Sequence, residues 1–218
     1  MLLALETATD VCSVAFCDDS GTIHERRTEQ HGSHSEQLFL FIEELQEQHN
    51  FSIPDLDAVL VSEGPGSYTG LRISASAVKG LLFQVDTSLY GINTLASFAM
   101  QAMENSLATQ TIHSIIDARR VHVYHQKFTA DEGLHAADDV EIIPIETLES
   151  MVQKDDIIVG TGLNRINEEA CKKAITFGPK VITAKSLIAL YQDGFSAFVK
   201  KVEPESFEPK YYTSNQGS

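Results

Sequence analysis

Ser62-Glu63-Gly64-Pro65-Gly66-Ser67-Tyr68-Thr69-Gly70-Leu71-Arg72 follows a short apolar stretch, Ala58-Val59-Leu60-Val61, and precedes a helical pattern that runs to Val85. A strand passing through a Gly-Pro-Gly turn into a helix gathers backbone amides and a helix N-terminus at one spot, where a ligand or a partner can meet them. The run is not a P-loop, because Leu71-Arg72 stands where Lys-Ser/Thr would follow the last glycine. Nor is its glycine spacing that of a dinucleotide fingerprint. Two readings stay open for Gly64, Pro65, Gly66 and Ser67: a structural turn with a helix cap at Ser67 or Thr69, or a functional loop.

N-terminal to this loop, Leu2-Leu3-Ala4-Leu5 and Val11 to Cys17 read as strands joined to a third, Thr22 to Glu29, by the turn Asp18-Asp19-Ser20-Gly21. The third is polar enough for a sheet edge. Ser33 or Ser35 caps a helix to about His49, with Leu38, Phe39, Ile42 and Leu45 as its apolar stripe. After the loop come the helix 69–85, a short strand Leu89 to Ile92, and a helix capped by Thr94 and reaching about Glu104. The first half is thus β-β-β-α-β-α-β-α, three antiparallel strands followed by helix-connected parallel ones.

The second half repeats the pattern. Ile112 to Ile116 and Val121 to Phe128 form a hairpin about Asp117-Ala118-Arg119-Arg120, and Val140 to Ile143 adds a third strand beyond the loop Asp131-Glu132-Gly133. A helix over Ile145 to Gln153, a strand at Ile157-Ile158-Val159 and another glycine turn, Gly160-Thr161-Gly162, follow. Ala184 to Gln192 and Phe195 to Lys201 read as helices split by Asp193-Gly194. The expectation is an α/β chain of two related lobes, each a mixed sheet with flanking helices: residues 1–103, completed by a C-terminal helix 195–218, and residues 104–194.

Composition narrows the function. The 218 residues carry a net charge of -15, which opposes unassisted binding to nucleic acid, because phosphate contacts need Lys and Arg. Three cysteines, Cys12, Cys17 and Cys171, are an odd number without a CxxC, which fits a reduced, cytoplasmic setting. The apolar N-terminus is interrupted at Glu6, too early for a signal peptide or a membrane span.

Few residues suggest chemistry. Glu6, at the end of the first strand and followed by Thr7 and Thr9, could face a phosphate and Mg²⁺ or could simply end a strand; no glycine follows until Gly21, which weakens a phosphate cradle. His31 and His34 lack a partner one helical turn away and read as solvated, while His113, His122 and His125 lie in or near one hairpin without metal-ligand spacing. Asp117 and Arg119 suit a local turn pair. No GxSxG elbow, HExxH or Cys-His signature is present, so a protease is disfavoured. In the helix after the glycine loop, Gly70, Ser74, Ala77 and Gly80 share one small face that lets another helix approach closely, whether from a partner or from the chain's own fold, while Leu71, Val78 and Leu82 can face the core.

Together these residues resemble the TsaB family, also called YeaZ. The likeness rests on Leu3-Ala4-Leu5-Glu6-Thr7-Ala8-Thr9 with Cys12-Ser13-Val14-Ala15, on Gly64 to Ile73, on Gly91-Ile92-Asn93-Thr94-Leu95, and on Ile116-Asp117-Ala118-Arg119 with Val123-Tyr124. It covers about the first 130 residues in order; Gly160-Thr161-Gly162 and Glu208-Pro209-Lys210-Tyr211 extend it thinly. The family has Asp where this chain has Glu6, and an Arg after the Pro-x-Tyr that is missing here.

The resemblance implies the two-lobed fold of actin and the sugar kinases. It implies a non-catalytic scaffold that activates the catalytic subunit TsaD in making N6-threonylcarbamoyladenosine at position 37 of tRNA, with the small ATPase TsaE completing the set. The implied interface is the helix pair 33–49 and 69–85, with Leu38, Ile42, Gly70, Ser74, Ala77, Val78 and Leu81 at the contact. That contact forms with TsaD or, in the isolated chain, with a second copy in a homodimer. The Glu6, Thr7, Thr9 loop becomes vestigial, with no cofactor or metal of its own and ATP or ADP with Mg only at the level of the complex. tRNA is met only through the partner, and no membrane is involved. The competing reading is a small-molecule kinase or ATPase of the same fold.

Overall fold

A computed structural model describes residues 1–30, 32, 34–103, 110–131 and 133–213. The expectations about His31, a cap at Ser33, a helix end at Glu104, Glu132 in its loop and the last residues of the tail lie outside them. Along the chain run β1 (Leu2–Glu6), β2 (Cys12–Cys17), β3 (Ile23–Thr28), α1 (His34–His49), β4 (Ala58–Gly64), α2 (Tyr68–Leu81), β5 (Ser88–Asn93) and α3 (Thr94–Met103). Then come β6 (Thr111–Asp117), β7 (His122–Ala130), β8 (Leu134–Ala136), β9 (Glu141–Pro144), α4 (Ile145–Met151), β10 (Ile157–Gly160), α5 (Glu168–Lys173), β11 (Ile175–Phe177), α6 (Lys185–Gln192) and β12 (Val199–Val202).

The chain divides into two compact units. The first holds Met1–Thr94 and Thr183–Lys210, with a six-stranded sheet in the order β12-β5-β4-β1-β2-β3. β1 lies parallel to β4 and β4 to β5, while β2, β3 and β12 run antiparallel to their neighbours. Every residue of β1, β2 and β4 is buried, because helices cover both faces; such strands read as near-continuous apolar runs. One face carries Leu3, Leu5, Val14, Phe16, Val59 and Val61, packed with Leu38, Ile42 and Leu45 of α1 and Ala77 and Val78 of α2. Against the other lies α6, whose first turn is held by the Ala184 N–H donating to Ser13 Oγ at 2.9 Å. The sequence pattern carries the second lobe to residue 194; α6 belongs instead with the first unit.

Two other expectations are corrected. The helix expected over 195–201 and in the tail is absent from the described residues; Val199–Val202 is β12 and pairs antiparallel with β5, Val199 opposite Ile92 and Val202 opposite Leu89. Without β12, β5 would be an open edge, and a ladder to it outweighs weak helix propensity in Phe198-Val199-Lys200-Lys201-Val202. In α1, Phe41 rather than Phe39 completes the buried stripe, at 9% exposure against 45%.

The second unit, Leu95–Ile182 with Tyr211–Ser218, has the order β11-β10-β6-β7-β8, with β9 also on β7. β6 and β7 form the expected hairpin, β10 runs parallel to β6, and β11 runs parallel to β10. Ile115, Val123, Ile143, Leu148 and Ile158 form its core with Ile166 and Ala170. Two mixed sheets with flanking helices give the two-lobed architecture of the actin and sugar-kinase group.

Candidate functional site

The loop between β4 and α2 packs directly on the loop after β1. The Ser67 N–H donates to the Ala8 carbonyl at 2.7 Å, and Thr7 Oγ1 donates to the Gly70 carbonyl at 2.8 Å. This approach requires the glycines. A Cβ on Gly66 would lie 2.4 Å from the Ala8 carbonyl oxygen, and one on Gly70 2.0 Å from that of Thr7. Gly64, at φ +116, would press on the Lys210 carbonyl at 2.5 Å, and its peptide bond to Pro65 is cis. Ser67 caps α2 by accepting the Gly70 N–H. Of the two readings left open by the sequence, the geometry favours the structural turn.

Glu6, Thr7 and Thr9 are buried. Glu6 accepts the Ala8 N–H at 2.7 Å and the Ser62 hydroxyl. Thr9 Oγ1 accepts the Val11 N–H at 3.2 Å, and His34, expected to be solvated, is instead buried with its ring bonded to the Thr9 carbonyl at 2.8 Å. Burial raises the Glu6 carboxyl from 4.5 to about 7, against the two hydrogen bonds that favour its charged form. The loop therefore uses its own amides and hydroxyls to close the end of the sheet. Lys210 continues the closure, its N–H donating to the Glu63 carbonyl at 2.7 Å and its Nζ to Glu63 Oε1 at 2.5 Å.

The residues expected at the helix interface divide differently. Leu38, Ile42, Gly70, Ser74, Ala77 and Val78 are buried within the chain itself, and Leu81 packs half-buried against the same core. The small face of α2 is spent on the chain's own interior: Gly70 meets Thr7, Ser74 Oγ donates to the Leu71 carbonyl at 3.1 Å, and Ala77 joins the core cluster. Gly80, also on that face, is exposed with open space around its Cα.

What α1 and α2 turn outward is a different apolar set. Phe39 is 45% exposed, Leu40 41% and Tyr68 58%. With Ser35, Thr69, Arg72, Ile73 and Ser76, and the edge of Ala77, Phe39 and Tyr68 line a groove of about 460 Å³ between the two helices. Arg72 lies over the Tyr68 ring, Cζ 5.2 Å from its centre, and donates from Nη1 to the Tyr68 hydroxyl at 2.6 Å. This stacking holds a large aromatic in one outward pose. The sequence carried a signal for this face: Leu38-Phe39-Leu40-Phe41-Ile42 is five apolar residues in a row, and one helix stripe can bury only some of them.

Of the histidines, His113 and His125 come together in the second unit, Nδ1 to Nε2 at 3.0 Å, with Asp156 Oδ2 3.3 Å from His113 Nε2. Burial lowers both rings, His125 to about 3. His122 is only half-buried. Asp117 accepts the Arg119 N–H at 2.7 Å and pairs with Arg165, the local turn role expected of it. Among the described residues no group of three or more His, Cys, Asp and Glu is placed to hold a metal, the cysteines are unpaired, and no helix is long and apolar enough to cross a membrane.

Comparison with known proteins gives the setting. A family model described as TsaD, tRNA N6-adenosine threonylcarbamoyltransferase, matches residues 22–187. The tRNA threonylcarbamoyladenosine biosynthesis protein TsaB of Escherichia coli is 29% identical over 166 residues, 74% of this chain and 71% of the relative. That of Haemophilus influenzae is 31% identical over 131 residues, 60% of this chain and just over half, 55%, of the relative. Among solved structures, YeaZ from Pseudomonas aeruginosa shares the fold at a TM-score of 0.79 and 24% identity, covering 97% of this chain and 99% of that one. A Pseudomonas aeruginosa protein described as similar to the peptidase YeaZ gives 0.80 at 25%, covering 96% and 98%. The chain belongs to the TsaB (YeaZ) family, within the wider group that the TsaD model describes.

Proposed function

We propose that this chain is the non-catalytic partner subunit of the machinery that makes N6-threonylcarbamoyladenosine at position 37 of tRNA, and that it acts by docking on the TsaD-type catalytic subunit. The observation that carries the reading is the outward face of α1 and α2. Phe39, Tyr68 and Ile73 form an apolar patch lining a groove on two helices whose inner faces are already packed. Aromatic residues held rigid beside a groove are the usual anchors of a protein interface. The interface is therefore moved one face outward from the buried small residues to this set. A homodimer of the isolated chain would use the same patch isologously and compete with the catalytic subunit.

The rest of the reading follows the family names. TsaE joins the complex of the two, nucleotide and Mg enter at that level, and the catalytic subunit supplies most of the tRNA contact. The kinase or ATPase reading draws no support from the first loop, whose Ala8 and Val11 amides are already bonded within the chain. Reconstitution tests the proposal. The catalytic subunit, TsaE and the enzyme that makes threonylcarbamoyl-adenylate are assayed for modified nucleoside with and without this chain. Modification that depends on the chain is expected; equal modification without it would overturn the role. Nucleotide turnover by the chain alone would favour the kinase reading.

A further inference from the structure

The tip of the β6–β7 hairpin breaks two rules at once. Arg119 and Arg120 both have a left-handed backbone, at φ 67 and 52. The loop is Arg119-Arg120-Val121, closed by the His122 N–H donating to the Arg119 carbonyl, and left-handed backbone favours Gly, Asn or Asp over bulky side chains. Both arginines are exposed, in a chain of net charge -15. The other arginines are engaged: Arg26 with Glu44, Arg27 with Glu29, Arg72 with the Tyr68 hydroxyl, and Arg165 with Asp117. Among the described residues, neither the Arg119 nor the Arg120 side chain lies within ion-pair distance of a carboxylate.

The platform beneath the tip is fixed. Asp117 donates its N–H to Thr161 Oγ1 at 3.0 Å, accepts the Arg119 N–H, and is held by Arg165. Gly162, at φ +89, lies against it, with space for a Cβ only 3.4 Å from the Asp117 Cβ. Ala118 and His122 close the turn, and the Val121 carbonyl accepts the Ile145 N–H at 2.9 Å. Strained residues held firmly on a rigid support, against local preference, mark positions kept for what their side chains touch.

We infer that Arg119 and Arg120 are a contact for the phosphate backbone of RNA. The inference rests on the proposed role in tRNA modification, and it gives the chain a small direct contact beside the partner's larger one. Two guanidinium groups on a projecting tip suit a run of phosphates on a surface, which each can grip through two N–H donors.

The test is tRNA titration onto the chain mixed with its TsaD-type subunit, over about 50 to 200 mM salt, with complex formation read by light scattering on the same samples. Replacing Arg119→Asn together with Arg120→Gly places residues that tolerate left-handed backbone at both positions and removes both charges. The melting temperature should stay level or rise. The salt slope of tRNA affinity should shrink by roughly 2, so that the salt-induced loss of affinity over that range falls by about tenfold. Arg119→Lys with Arg120→Lys should keep most of the wild-type slope. An unchanged slope in the Asn-Gly variant, with the complex intact, would overturn the inference while leaving the partner role standing. A wild-type chain that forms no complex would overturn the partner role, and this contact with it.

Discussion

Replacing Glu6→Gln should flatten the pH dependence of stability. Glu6 is wholly buried and its carboxyl is raised from 4.5 to about 7, with desolvation outweighing the bonds from Ser62 and Ala8. A raised carboxyl means the folded chain holds the proton more tightly than the unfolded one. Below pH 4.5 both states are protonated and no penalty exists. As pH rises through 7 the penalty grows, then levels off at about 3 kcal/mol, because each tenfold weakening of the acid is worth about 1.4 kcal/mol. About 2 kcal/mol of it should develop between pH 5 and 8. Urea unfolding followed by far-ultraviolet circular dichroism, at pH steps across that range, reads the difference between wild type and variant. Other titrating groups are common to both chains and cancel. At about 2 kcal/mol per molar urea, the gap between the two midpoints should shift by about 1 M in the variant's favour from the low to the high end of the range. Parallel curves for the two proteins would refute the reasoning and mean that Glu6 stays ionised in its pocket.

Other expectations follow from the same geometry. Gly70→Ala would put a Cβ 2.0 Å from the Thr7 carbonyl oxygen, and because backbone cannot yield cheaply it should cost about 3 kcal/mol or more. Gly80→Ala meets open space on the same helix and should gain about 0.5–1 kcal/mol; thermal melts distinguish the two. The buried His113–His125 pair faces Lys127, Asp138 and Asp156 and holds both rings below 6.5, His125 at about 3. Depressed histidines contribute stability above pH 6.5 that is lost as pH falls toward the folded values. Acid titration by circular dichroism should therefore show loss of structure beginning below pH 6.5, with a smaller slope in His125→Gln.

The Gly-Pro-Gly loop and its flanking strand and helix were legible because glycine, proline and a capping serine act locally. The reason for the glycines was not, since Gly66 and Gly70 meet Ala8 and Thr7, far away in sequence. Periodicity found α1 and α2 and put Leu38, Ile42, Leu45, Leu71 and Val78 inward, but it took Phe39 for Phe41. In Leu38-Phe39-Leu40-Phe41-Ile42 every position is apolar, so only the sheet beneath decides that Leu38, Phe41 and Ile42 go in and Phe39 and Leu40 stay out. The small residues of α2 fit a close contact equally well inside or outside the chain. β12 escaped notice because its ladder partner, β5, precedes it by more than a hundred residues. The three-residue strands β8 and β11 carry too little pattern to be seen alone.

If the outer face of α1 and α2 docks the catalytic subunit, substitutions on that face must weaken the complex without touching the fold. Size-exclusion chromatography with light scattering tests this on equimolar mixtures of a TsaD-type subunit with wild-type chain, with Tyr68→Ala and with Phe39→Glu, each checked for an unchanged melting profile. Wild type should run as a 1:1 complex, Tyr68→Ala should lose about 2 kcal/mol of affinity, roughly thirtyfold, and Phe39→Glu should elute unbound. Complexes that survive both substitutions undiminished would contradict the account and place the interface elsewhere on the chain.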